Sequence, residues 1–183
     1  MKPKYIEAFM FDNGFACIGL TNPKSPSNVG AVMRAAGCYG VNSVFYTGKR
    51  FDNARKFATD TKKVYQNIPL IGADTLESMI PLGATPVAIE LIEGAKPLTE
   101  YTHPKSAFYM FGPEDGSLAK ESLKMCQDVI YVPTQGCMNL AATVNVVLYD
   151  RLLKSGVTFN NDEIIRGSRD NNNNIVLSEL IAR

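Results

Sequence analysis

The sequence predicts an α/β protein: a mostly parallel sheet with helices on both faces. Three observations carry that expectation. Short apolar runs rich in β-branched and aromatic residues alternate with helix-period segments along most of the chain. Three of the strand-to-helix connections, 21–28, 112–116 and 133–139, are loops punctuated by Pro, Gly, Ser and Asn. Finally, strand, loop, helix and strand over 15–47 make a βαβ unit, which implies parallel pairing.

The composition suits a single domain with a genuine core: 183 residues, 45% hydrophobic and 20% charged. The net charge of +1 gives no bulk argument for nucleic acid, so such an argument has to rest on local clustering. Cys17, Cys38, Cys126 and Cys137 are scattered without a Cys-x-x-Cys pair, and His103 is the only histidine, so no metal site is expected. Reduced thiols, an N-terminus without the apolar core of a signal peptide and the lack of any membrane-length window predict a soluble, cytoplasmic chain.

In chain order, Tyr5–Phe11 and Phe15–Leu20 flank Asp12-Asn13-Gly14, a turn signal that predicts a hairpin over 5–20. A helix is expected from about Val29 to Tyr39 with Asn28 as its N-cap, followed by a strand over Val41–Thr47. Arg34 lies among Ala31, Val32, Met33, Ala35 and Ala36, where a charge needs either a salt-bridge partner or a functional role. Between Gly48 and Tyr65, Lys49, Arg50, Arg55, Lys56, Lys62 and Lys63 outnumber Asp52 and Asp60, with Phe51, Phe57 and Tyr65 interleaved. Basic side chains neutralise phosphates and aromatics stack on bases, so this stretch is the predicted RNA-contacting surface; the plain alternative is a solvated basic face.

Ile68–Ile71 and Pro86–Ile92 read as strands around a short helix near Thr75–Ile80. Glu93–Lys105 reads as a polar connection whose His103 has no evident partner. Ala107–Phe111 is a buried strand, followed by the loop Gly112-Pro-Glu-Asp-Gly116, a helix over about Ser117–Cys126 and a strand over Val129–Val132. Pro133 stops that strand and Gly136 permits a sharp turn. From Leu140 the period changes: Leu140, Val144, Val147, Leu148 and Leu152 define one helical face, with Asn139 as the N-cap. Beyond 155 the pattern fades into an extension, 156–183, with a polar run at Asn171–Asn174 and a short terminal element over Ile175–Arg183.

Loops at the C-terminal ends of strands are where open α/β sheets bind ligands. None here carries Gly-x-Gly-x-x-Gly or Gly-Lys-Ser/Thr, so neither a dinucleotide nor a triphosphate is indicated. Taken in order, three segments do carry a resemblance: Asn28-x-Gly30-x-x-x-Arg34; Phe111-Gly112-Pro113-Glu114 followed by Gly116, Ser117 and Leu118; and Val132-Pro133, Met138-Asn139-Leu140 and the helix through Tyr149-Asp150. Over roughly 16–153 the chain resembles the SpoU (TrmH) family of RNA ribose methyltransferases in the SPOUT superfamily. Cys137 and Ala141 stand where that family usually has serines.

The resemblance implies a methyltransferase domain over 1–155 whose C-terminal part is tied in a deep trefoil knot, an exception to the rule that chains avoid knots. It implies a homodimer that transfers a methyl group from S-adenosylmethionine to a ribose 2′-hydroxyl of tRNA or rRNA. Gly112, Ile130, Val132, Pro133, Met138 and Leu140 match the positions that hold the cofactor. Arg34 matches the assigned catalytic residue, either as general base or as a phosphate clamp, with Asn28, Glu114 and Asn139 positioning groups around it. The two missing serines prompt a rival expectation, an RNA-binding protein of the same fold without catalysis. A third is a small-molecule-binding α/β protein.

Overall fold

The computed structural model describes residues 14–55, 68–157, 161–169 and 172–181. Among the described residues seven strands form one sheet: β1 (Ala16–Leu20), β2 (Ser43–Thr47), β3 (Leu70–Ala73), β4 (Thr85–Ile89), β5 (Lys96–Pro97), β6 (Ala107–Phe111) and β7 (Asp128–Tyr131). Their order is β3-β2-β1-β6-β4-β7-β5, and every pairing is parallel. The two-residue β5 lies inside the connection that reads as structureless in the sequence; it is too short to show a period. The first arm of the expected hairpin lies outside the described residues, and its second arm is β1.

Alternation along the central strands splits the core into two layers. Ala16, Ile18 and Leu20 of β1 and Ala107, Tyr109 and Phe111 of β6 face one layer. There they meet Val29, Val32, Met33 and Ala36 of α1 (Pro26–Cys38) and Leu140, Val144, Val147 and Leu148 of α4 (Leu140–Lys154). Cys17, Phe108 and Met110 face the other layer, with Phe45, Leu76 and Leu118. Leu123 and Cys126, from α3 (Lys120–Met125) and just beyond it, pack against that layer. Helices therefore cover both faces, as expected.

Local chemistry sets the helix boundaries. Ser25, not Asn28, caps α1: its hydroxyl accepts the Asn28 N–H at 3.4 Å, and Pro26 supplies a pre-set φ at the first helical position. Asn139 does cap α4, its Oδ1 accepting the N–H groups of Ala141 at 2.9 Å and Ala142 at 3.3 Å. The buried face of α4 continues to Arg151 rather than Leu152. At 3.6 residues per turn the eleventh residue after Leu140 returns to that face and the twelfth has rotated off it. Arg151 is 4% exposed and donates to the carbonyls of Phe15, Pro104 and Lys105 and to the Tyr109 hydroxyl.

His103 is not the unpartnered loop histidine the sequence suggests. Nδ1 lies 2.6 Å from Tyr109 Oη and Nε2 lies 2.9 Å from Asp150 Oδ2. Asp150 is 47 residues away and Tyr109, six residues on, lies in the next strand, so no local periodicity points to either. Beyond α4, α5 (Asn161–Ser168) exposes Ile165, and α6 (Leu177–Ile181) with the residues just before it exposes Ile175, Leu177 and Leu180. Among the described residues no helix is long and apolar enough to cross a membrane.

Candidate functional site

The strand order changes direction between β1 and β6, and a cleft of about 570 Å³ opens at the C-terminal ends of β4, β6 and β7. Its walls come from three strand ends and the turns that follow them: Ile89 of β4 with Glu90 and Leu91; Phe111 of β6 with Gly112, Pro113, Glu114, Gly116 and Ser117; Tyr131 of β7 with Val132, Thr134, Cys137, Met138 and Asn139. Asn28 of α1 and Leu140 and Thr143 of α4 complete it. This is the location expected for a ligand in an open parallel sheet.

A chain of side-chain hydrogen bonds links the three sequence motifs. The Lys24 N–H donates to Glu114 Oε2 at 2.8 Å, and the Ser25 N–H and Asn28 Nδ2 donate to Glu114 Oε1, each at 3.1 Å. Asn139 Nδ2 then donates to Asn28 Oδ1 at 3.0 Å. Partial burial alone would raise the Glu114 carboxyl, but the donors from Lys24, Asn28 and Ser25 outweigh it and hold it below the usual carboxylate value. Asn28 is thus held at the third position of α1 by a residue 86 positions away, which leaves capping to Ser25.

Of the residues expected to hold the cofactor, Gly112, Val132, Met138 and Leu140 line the cleft. Ile130 is fully buried in β7, its carbonyl accepting the Glu90 N–H at 2.9 Å, and Pro133 is exposed beside the cleft without lining it. Gly112 sits where a Cβ would come within 3.2 Å of the Leu118 nitrogen and 3.3 Å of Glu90 Oε2, so the bare backbone leaves room at the cleft wall. Of the two positions where the resemblance leads one to expect serine, Cys137 faces the cleft, whereas Ala141 is 5% exposed in the core.

Arg34 is not in the cleft. It stands on the exposed face of α1 and, among the described residues, makes no hydrogen bond or ion pair. Glu114 orients Asn28 rather than Arg34.

The predicted RNA surface is changed in two respects. Phe51, in the short helix α2 (Arg50–Arg55), is 6% exposed and packs edge-on against Tyr46, with ring centroids 5.0 Å apart, so it is core rather than a stacking platform. Arg50 makes a bidentate pair with Asp115, two bonds of 2.9 Å, and Lys24 approaches the same carboxylate at 3.7 Å. The Arg50 bonds hold the Asp115 carboxyl below its ordinary value. Lys49 is exposed; the side chain of Arg55 and residues Lys56, Lys62 and Lys63 lie outside the described residues, as do Phe57 and Tyr65. Among the described residues no cluster of His, Cys, Asp or Glu is arranged to hold a metal ion.

The sequence reading missed Glu90 because it set the strand at Pro86–Ile92; β4 ends at Ile89, so Glu90 opens the loop at the cleft wall. It also missed the pairing of Arg50 with Asp115, 65 residues away, for which no local signal exists.

Comparison with known proteins agrees with this geometry. No curated protein sequence matches the chain. Among solved structures, one described as giving insight into the 2-OH methylation of C/U34 on tRNA superposes with a TM-score of 0.61 at 22% identity, covering 76% of this chain and 95% of that one. The TrmH/SpoU tRNA modifying enzyme of A. aeolicus gives 0.66 at 17% identity, covering 88% and 89%. The SpoU methyltransferase AviRb from Streptomyces viridochromogenes, in complex with AdoMet, gives 0.63 at 16% identity, and this chain spans 57% of its length. At these identities the likeness is one of fold. The model of the SpoU rRNA Methylase family matches residues 16–149, which is most of the chain and contains the whole cleft, and the chain therefore belongs to that family.

Proposed function

We propose that the protein is an S-adenosylmethionine-dependent methyltransferase acting on a ribose 2′-hydroxyl of tRNA or rRNA. The observation that carries this is the cleft itself. Its described lining holds two carboxylates, Glu90 and Glu114, and no lysine or arginine. A site of that sign suits a ligand bearing a positive sulfonium and disfavours phosphates. The apolar side chains of Ile89, Leu91, Val132 and Leu140 offer surface for a base, and Gly112 leaves its backbone open to the ligand. Bound there, S-adenosylmethionine would supply an activated methyl group. AviRb, of the same family and fold, has been solved with AdoMet, which supports the reading.

The chain's own residues then have separate tasks. Gly112, Val132, Met138 and Leu140 hold the cofactor, joined by the backbone after Ile130 and at Pro133. Asn28, Glu114 and Asn139 lock the three loops in one geometry. Arg34, whose guanidinium stays protonated at neutral pH, is suited to clamp an RNA phosphate and so orient the neighbouring 2′-hydroxyl. Its position outside the cleft supports a homodimer in which Arg34 serves the partner's site. The outer face of α1 around it, Ser27, Gly30 and Ala31, is small enough for close approach. RNA is gripped through Lys49, Arg50, Arg55, Lys56, Lys62 and Lys63, with 1–155 as the catalytic unit and 156–183 as an extension to it. The trefoil knot belongs to the same reading. So does the cytoplasm as its compartment, to which four free cysteines are suited.

Calorimetric titration with S-adenosylmethionine and S-adenosylhomocysteine, followed by methyl transfer to total tRNA and rRNA, tests the function. Saturable binding near one site per chain and a 2′-O-methyl product are expected. Binding without transfer to any RNA would favour the non-catalytic RNA-binding reading, prompted by Cys137 and Ala141; no binding at millimolar ligand would remove the cofactor. Arg34→Ala is expected to keep cofactor affinity and abolish transfer. If Arg34 acts across a dimer, mixing that variant with Asn139→Ala restores part of the activity, whereas two variants acting on one chain's site would stay inactive together.

A further inference from the structure

Glu90 is the first residue after β4, at the edge of the sheet where the cleft opens. Its backbone N–H is committed to the Ile130 carbonyl of β7 at 2.9 Å. Its carboxylate is built into the wall from two sides: Oε1 accepts the Leu91 N–H at 3.1 Å, and Oε2 accepts the Leu118 N–H at 2.8 Å, from the far end of the loop after β6. Gly112 makes this seat possible, because a Cβ there would lie 3.3 Å from Oε2. The side chain is therefore fixed in place before any ligand arrives.

The two cleft carboxylates are not equivalent. Glu114 already receives three donors, two of them on Oε1, and its function is to join loops. Each oxygen of Glu90 receives one donor from the protein and keeps capacity for another, since a carboxylate offers about four acceptor sites. Among the described residues no cation pairs with it. A rigid carboxylate at a cleft wall, with two acceptor sites unfilled, matches a ligand carrying two adjacent hydroxyl donors. In a nucleoside that group is the ribose 2′,3′-diol, and acidic residues beyond strand ends in other parallel sheets take ribose hydroxyls for the same reason.

We propose that Glu90 is the acceptor for the ribose cis-diol of the adenosyl ligand, a cofactor-binding role that none of the three motifs assigns to it. The inference rests on the cofactor reading above. It also gives the cleft a basis for refusing deoxyribose ligands: hydrogen bonds to a charged acceptor are worth enough that losing one weakens binding by about tenfold or more.

Calorimetry with the full chain tests this, using S-adenosylhomocysteine and its 2′-deoxy and 3′-deoxy counterparts against wild type, Glu90→Ala and Glu90→Gln, with circular dichroism and melting curves as fold controls. Wild type is expected to bind the ribo ligand about tenfold or more tighter than either deoxy ligand. Glu90→Ala is expected to lose that preference, its affinity for the ribo ligand falling to the deoxy level while the deoxy affinities change little. If Glu90 is only a brace for the loop, the variants weaken all three ligands alike and the wild-type ratio survives, which overturns the proposal. Glu90→Gln keeps an oxygen for one backbone donor and serves as the folded comparison should the alanine variant melt early; retention of the full ratio there is likewise fatal. Wild type that fails to bind S-adenosylhomocysteine at all removes the cofactor reading and this inference with it, whereas binding with unchanged ratios removes only the inference.

Discussion

Asp115 and Glu114 are adjacent in the chain, yet they act on different partners. Glu114 turns inward to Asn28 and the backbone of 24–25, while Asp115 turns outward and holds Arg50 in a bidentate pair with Lys24 nearby. The Asp115 pair is solvent-exposed and adds little to stability, but its single negative charge offsets the positive charge of Arg50 and lies within reach of Lys24. Asp115→Asn is expected to leave the melting temperature within a degree or two, on the order of surface substitutions. RNA affinity should rise and its salt dependence steepen as Arg50 and Lys24 become available to phosphates. A filter-binding series over a range of salt concentrations reads both; an unchanged slope would mean that RNA never reaches this corner. Composition revealed the basic stretch but not its neutralisation, because charge counting along a window is blind to a carboxylate 65 residues later.

Capping shows which features of the elements are legible and which are not. Asn139 is readable as an N-cap because the signal is local: a turn, an Asn, then an apolar helical face. Ser25 and Asn28 are both capping residue types, and the choice between them was made by Glu114, which no local window contains. Asn139 does two jobs with two atoms, Oδ1 for the cap and Nδ2 for the bond to Asn28, and substitutions separate them. Asn139→Ala should cost about 1 kcal/mol of stability through loss of the cap. Asn139→Asp keeps the cap but sets an oxygen against Asn28 Oδ1, so it should melt close to wild type and still weaken S-adenosylhomocysteine binding. Thermal melts and titrations on the two variants distinguish them, and equal affinity in Asn139→Asp and wild type would show that the link between loops is dispensable. The sheet was legible strand by strand, through apolar runs and turn residues. β5 and the pairing of His103 with Asp150 were not, being too short in one case and 47 residues apart in the other.

For the molecule as a whole, the cluster under α4 sets the response to acid. Burial lowers the His103 imidazole below its usual value despite the hydrogen bond it makes to the Asp150 carboxylate, with Arg151 and Lys154 also disfavouring the charged ring. Tyr109, its other partner, is pushed up to about 12 by burial and stays a neutral phenol. A histidine whose folded value lies below its unfolded value of about 6.5 binds fewer protons folded than unfolded in the interval between them. Its contribution to stability is therefore complete above the unfolded value and is lost as pH falls toward the folded one. Melting temperatures are expected to decline as pH drops below about 6.5, and the decline should be shallower in His103→Asn. Equal slopes in the two proteins would exclude His103 as the group responsible.

The guanidinium of Arg151 reaches the carbonyl of Phe15, 136 residues earlier, at the entrance to β1. β1 itself lies at the middle of the sheet between β2 and β6, and β6 begins only at Ala107. The pairing of β1 with β6 and the packing of α1 against α4 therefore join the beginning of the chain to its second half, the arrangement for which loop closure is costly and folding slow. During synthesis the first hundred residues can make the β1–β2–β3 half of the sheet but not enclose it, and one flank of β1 stays open until β6 emerges from the ribosome. α4 then closes the assembly last, fastening the first strand only after Arg151 has been translated. A nascent chain halted before that point exposes strand edges and an apolar layer, and pulse proteolysis of stalled chains should show protection of β1 arriving late and in one step rather than growing with length.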